Sequence, residues 1–288
     1  MSPTGHSTFE EGLYWQGRLR EADEACAKNL ASKDLSIDAR INLLIVQGMA
    51  AFDAGDVSKS IQSLRQATVH AEENKTQVFR ARIALFSRLS QYEEPRSTVK
   101  LLSEVRQAAH AEGTAFSLGS LHLVVARLEA IRGLSVSARR HLQLSSRLLA
   151  AAPVAVQSAI LQLDAGLELY AGNLRRARKS AVEGVELAKS HGLLPIYAGC
   201  LTNLGSILTA VGKTERAVRL LHQAVSCCTE LPVIKFSALD TLMQAALFER
   251  ELAKASDYEA AAAENRQNHS LPSRSWYDLA HQITRCAY

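Results

Sequence analysis

A glycine, or a residue standing in its place, returns at Gly17, Gly55, Glu94, Gly133, Gly172, Gly212 and Leu252, in steps of 38, 39, 39, 39, 40 and 40 residues. A fixed period of that length means that each repeat is one supersecondary unit. Such a unit cannot bury its own apolar face and must stack on its neighbours. The period therefore predicts an all-α fold, a helical-hairpin solenoid with the glycines at the hairpin turns. The length of 288 residues alone would suggest about two domains, but unbroken periodicity argues for one array over residues 9–271, behind a disordered N-terminus of residues 1–8.

The residue classes around each turn repeat as well. Seven positions before it stand Gly48, Ser87, Ala126, Ala165, Gly205 and Ala245, all small, as close helix crossing requires. Five positions after it come Ala22, Ser60, Val99, Ala138, Ala177 and Ala217, and nine after it Cys26, Leu64, Ser103, Leu142, Ala181 and Leu221. A small residue in the first helix, glycine at the turn, then alanine and a large apolar residue in the second helix resembles the tetratricopeptide repeat family. The match is strongest at Gly205, Gly212, Ala217, Leu221 and Ala224, weakest around Glu94 and Leu252, and extends over nearly the whole chain. The repeat is longer than the family's usual one and is similar to the variant common in bacterial signalling and transcription-regulatory proteins. The resemblance implies a right-handed α-solenoid of about six to seven helix-turn-helix repeats. It also implies a non-catalytic scaffold that binds a protein or peptide, with no cofactor.

Local punctuation agrees with this register. Pro153, Pro195, Pro232 and Pro272 fall near junctions between repeats, where proline ends one helix and opens the next. Gly113 and Gly192 follow helical stretches, where a left-handed C-terminal cap is expected. The composition, 47% apolar with 6% aromatic, suits close helix packing rather than a sheet or a large ligand cavity.

Five cysteines, Cys26, Cys200, Cys227, Cys228 and Cys286, form no metal or redox spacing and no even disulfide set. Cys26 reads as a small buried hydrophobe on the second-helix stripe. No secretory leader is recognisable in MSPTGHSTFEEGLYW, and no run approaches the ~20 apolar residues of a membrane span. A cytoplasmic protein without membrane contact is expected.

Three features invite a functional reading. The first is the concave groove, lined by first helices. Register positions ten and six before the turn give Ile45, Met49, Arg88, Leu123, Arg127, Gln162, Thr202 and Leu242, with Asn203 beside Thr202. Arg88 and Arg127 lie one repeat apart, and their planar forks suit a carboxylate. The lysine and asparagine clamp with which some family members hold a C-terminal carboxylate is missing here, so a peptide or helix held by shape and a few polar anchors fits better.

The second feature is a basic ridge, Arg139 and Arg140 with Arg175, Arg176, Arg178 and Lys179. It offers an alternative, a nucleic-acid-associated regulator. These residues open second helices on the convex side and lack interleaved aromatics, so a hydrated helix face is the simpler account. The third is Gly212, Lys213 and Thr214, which spell the end of a phosphate-binding loop. Ile207 stands where that loop needs its first glycine, and the segment falls at a hairpin turn.

Residues 272–288 read as the first helix of a further, truncated repeat, with Trp276, Leu279 and Ile283 in an uncovered apolar stripe. The expectation is a piece of a longer regulatory protein, with an output domain of the same parent chain as one partner. Self-association through that helix is the alternative.

Overall fold

A computed structural model describes residues 8–91, 98–269 and 284. Among these the chain forms fourteen α-helices and no strand. They run as seven hairpins: α1 (Phe9–Trp15) with α2 (Leu19–Leu30), α3 (Ile37–Asp53) with α4 (Val57–Asn74), α5 (Val78–Leu89) with α6 (Val99–Glu112), α7 (Ala115–Ile131) with α8 (Ser135–Leu148), α9 (Val154–Tyr170) with α10 (Leu174–Ser190), α11 (Leu194–Ala210) with α12 (Thr214–Cys227), and α13 (Pro232–Phe248) with α14 (Leu252–Asn268). The helices fall into two compact units, α1–α8 and α9–α14, divided between Ala152 and Pro153. In the first unit α1, α3, α5 and α7 form a layer in which each touches the next, and α9, α11 and α13 do the same in the second. This is the neighbour-on-neighbour packing of an α-solenoid.

The expected turn register is present in five copies. Gly17, Gly55, Gly133, Gly172 and Gly212 hold φ of 74°, 92°, 76°, 75° and 71°. At Gly212 the amide of the next residue, Lys213, donates to Leu208 O at 2.8 Å, closing the hairpin. The Gly-Lys-Thr segment is thus a helix-to-helix turn. Glu94, assigned to the third copy, lies outside the described residues.

The seventh copy departs from the sequence register. Arg250 takes the left-handed conformation, with φ 60°, and Leu252 is already the first residue of α14. Moving the turn from 252 to 250 puts Ala255 five residues after it and Ala262 twelve after it, both fully buried like Ala217 and Ala224. Packing of the second helix therefore sets the register, and a non-glycine residue bears the backbone strain. Arg250→Gly is expected to stabilise the chain by about 1 kcal/mol, read from the urea midpoint, because an L side chain in this region costs ~1–2 kcal/mol. Destabilisation would show that the arginine side chain contributes more than its strain.

The small-against-large stripe is physical contact. A Cβ on Gly48 would lie 2.5 Å from Leu64 Cγ, and one on Gly205 would lie 2.5 Å from Leu221 Cγ. Both leucines are fully buried. Two hairpins add a polar lock eight residues either side of the turn: Ser63 donates to Gln47 Oε1 at 3.1 Å, and Ser180 donates to Asp164 Oδ2 at 2.6 Å. Pro195 and Pro232 open α11 and α13, where the missing amide hydrogen costs nothing. Pro153 is the residue before α9.

Cys26 and Cys200 are buried, and burial pushes both thiols up to about 12. The Cys200 sulfur packs where a side chain on Gly184 would be, its Sγ 2.8 Å from that Cβ position. Cys26, Cys200, Cys227 and Cys228 are free thiols. No described helix is long and apolar enough to cross a membrane. Residues 1–7 and nearly all of 272–288, including Trp276, Leu279, Ile283 and Cys286, lie outside the described residues. Thr8 accepts a hydrogen bond from the Glu11 amide at 3.3 Å and so caps α1.

Candidate functional site

The layer of first helices carries the candidate positions, and the two units treat them differently. In the first unit Ile45 is only 3% exposed and belongs to the core with Leu64 and Leu85, while Met49 is half-buried against that core. Leu123 and Arg127 are half-buried on α7.

Arg88 is held by the protein itself. Its Nη2 donates to the Tyr14 hydroxyl at 3.4 Å and stands 3.8 Å from Asp53 Oδ2, with the guanidinium 4.8 Å above the Phe52 ring. Tyr14 in turn donates to Asp53 Oδ2 at 2.7 Å. Burial first, and then the Asp53 charge, raise the Tyr14 phenol above its ordinary range and keep it a donor. The cluster joins α1, α3 and α5, so Arg88, expected as an anchor for a partner, ties three repeats together. The sequence could not show this because the acceptors lie 35 and 74 residues away.

In the second unit the middle helix α11 is buried along nearly its whole length, and between Pro195 and Thr209 only Asn203 and Ser206 keep partial exposure. Asn203 Nδ2 donates to the Gln162 carbonyl on α9 at 2.9 Å. Gln162 lies across the backbone of Gly199, its Nε2 where a Cβ would come within 2.1 Å. Ser206 Oγ donates to Thr202 O at 3.1 Å and lies 3.4 Å from Thr241 Oγ1 on α13.

Two further expected groove residues, like Ile45, prove to be interior. Thr202 is 5% exposed and spends its hydroxyl on Ala198 O at 3.0 Å, as threonines in buried helices do. Leu242 is fully buried in the core with Ile207, Leu208 and Ala262. Its misplacement follows from the displaced seventh turn: counted from Arg250, the position six before is Gln244 and the one ten before is Asp240. Gln244 is exposed, and its Nε2 donates to Asp240 Oδ2 at 2.8 Å and to Thr284 Oγ1 at 3.0 Å.

Sequence reasoning also missed two aromatic side chains. Tyr170 is 73% exposed and Phe248 60% exposed, at the C-terminal ends of α9 and α13. Each stands two residues before its turn residue, Gly172 or Arg250, so the period would have paired them had the seventh turn been placed correctly. The three first helices of this unit therefore present amide and hydroxyl groups along their middle and an aromatic residue at two of their ends.

The basic residues are less available than their number suggests. Arg176 is 3.3 Å from Asp164 Oδ1 and 3.6 Å from Glu168 Oε1, and Lys179 is 3.8 Å from Glu183 Oε1. Arg175 and Arg178 are exposed on α10. Arg139 is half-buried and Arg140 exposed on α8, in the other unit. Among the described residues no group of three or more His, Cys, Asp or Glu side chains is placed to hold a metal ion.

Comparison with known families matches the tetratricopeptide repeat model to residues 198–231, the segment from the buried stretch of α11 to the residue before α13. No curated protein matches the chain.

Proposed function

Because residues 198–231 match the tetratricopeptide repeat model, a class whose repeats generally mediate protein–protein interaction, we propose that the chain is a non-catalytic scaffold. In this reading its second unit takes an extended peptide or protein segment across α9, α11 and α13. The observation that carries the proposal is the opening on α11: a helix buried along nearly its whole length offers solvent only Asn203 and Ser206 between Pro195 and Thr209. Amides and hydroxyls in a row match the donors and acceptors of an extended backbone. Tyr170 and Phe248 supply large, rigid apolar contact, the kind of side chain that dominates binding energy at interfaces.

In the first unit, Met49, Leu123 and Arg127 are the half-buried counterparts on α3 and α7. The setting we propose is a regulatory region of a larger signalling or transcription-regulatory protein in the cytoplasm, where free thiols persist. A segment of the parent polypeptide is a natural partner for such a region. The alternative through the basic residues of α10 is not favoured, since Arg176 and Lys179 already face carboxylates.

Panning a random peptide library on the wild-type chain supplies binders for the test. Tyr170→Ala with Gln244→Ala is expected to weaken them about 10-fold or more, ~1.4 kcal/mol, while Arg175→Glu with Arg178→Glu leaves them within about 3-fold. The reverse pattern would move the site to α10. Equal affinity for all three proteins would remove the α9–α11–α13 face from consideration.

A further inference from the structure

In the first unit two histidines meet across the α7–α8 hairpin. His122 Nδ1 on α7 and His141 Nδ1 on α8 are 2.7 Å apart, their rings 4.9 Å between centroids and tilted by 34°. Two imidazole nitrogens this close form a hydrogen bond only if one carries a proton and the other does not. Two neutral rings in complementary tautomers satisfy that condition, and so does one imidazolium facing one imidazole. Two imidazolium rings place N–H against N–H and cannot.

A second observation concerns the outer edge of His141. Glu129 Oε2 is shut off from solvent without a hydrogen-bond partner, and it stands 4.0 Å from His141 Nε2. A charged His141 offers one N–H towards that carboxylate and the other to His122. With His141 charged, a second charge on the pair falls on His122.

We propose that the His122–His141 contact is an acid-released clasp on the α7–α8 hairpin, holding while the pair carries at most one added proton and letting go when both rings are charged. The surroundings oppose that last proton. His122 is held below its ordinary range by burial first, then by His141 and by His110 from α6. The α5 arginines are engaged elsewhere: Arg80 with Asn42, Arg82 with Glu72, Arg88 with Asp53.

The sign follows directly. A base whose pKa is lowered by folding binds its proton more readily in the open chain, so stability is lost as pH falls below the ordinary histidine value of ~6.5. The loss levels off once the pH has passed below the folded value. Leu123 follows His122 directly, so release would also alter the α7 face; that consequence rests on the binding role proposed above, whereas the release itself is read without any partner.

Hydrogen exchange of the full chain with chelator present, corrected for the chemical exchange rate, tests the clasp. Between about pH 7 and pH 5 (bracketing the ordinary histidine value), protection over residues 115–148 is expected to fall about 10-fold or more, while α3–α4 stays within about 2-fold. His122→Asn, which cannot take up the proton, is expected to flatten that response. An unchanged response in the variant, or an equal loss in both regions, overturns the proposal. Should the variant not fold, proton NMR of the wild-type imidazoles decides: His122 titrating at or above the ordinary histidine value of ~6.5 overturns it as well.

Discussion

Gly205→Val is expected to cost about 3 kcal/mol or more, because inserting carbon atoms into a filled core forces neighbours off their rotamers. The first added carbon would sit 2.5 Å from Leu221 Cγ and 2.5 Å from Leu221 Cδ2. Leu221 has no room to yield: it is fully buried in the cluster with Ile207, Leu208, Phe236 and Leu239. Leu221→Ala alone should cost ~2–5 kcal/mol through the cavity it leaves. The two sites share one space, so Gly205→Ala combined with Leu221→Ala is expected to cost less than the sum of the single changes by about 1 kcal/mol. Urea unfolding monitored by helical circular dichroism reads the wild type, Gly205→Val, Gly205→Ala, Leu221→Ala and the double variant. Strict additivity would mean that the α11–α12 crossing is looser than 2.5 Å implies.

The other large effect is at Asp53. Its carboxylate accepts from Tyr14 at 2.7 Å and faces Arg88 at 3.8 Å, with the Arg88 and Asp53 side chains only 12% and 19% exposed. Breaking a buried pair by removing one member typically costs ~3–5 kcal/mol. The residual exposure here reduces the expectation for Asp53→Ala to about 2 kcal/mol. Asp53→Asn retains an acceptor for the phenol and should cost roughly half as much. Equal, near-zero losses in both variants would leave the cluster without a role in joining α1, α3 and α5.

What was legible in the sequence was whatever repeats. Gly17, Gly55, Gly133, Gly172 and Gly212 announce a backbone conformation that few other residues adopt, and their spacing indicated about six to seven hairpins, these five turn positions, and small residues such as Gly48 and Gly205 where the helices cross. Arg250 was invisible for the same reason: an arginine with φ 60° carries no sequence signature of a left-handed turn. That two-residue displacement alone sent Leu242 to the groove and hid Gln244.

Features that occur once were illegible. The Tyr14–Asp53–Arg88 cluster and the His122–His141 contact join residues that no period relates, and their geometry depends on how neighbouring helices settle. Thr202 shows a third limit. Its register position was right, but a helix buried along nearly its whole length leaves a small hydroxyl only its own backbone to bond.

The crossing point of each hairpin has an evolutionary corollary. Gly48 is matched with Leu64, Gly205 with Leu221, Ala126 with Leu142, and Ala165 with Ala181, always at the same two offsets from the turn. Two copies fill that space with glycine and leucine, one with alanine and leucine, and one with two alanines. Where glycine leaves only 2.5 Å to the facing leucine, at Gly48 and Gly205, a lineage that enlarges the glycine must trim or move the leucine, so these two pairs should change in concert.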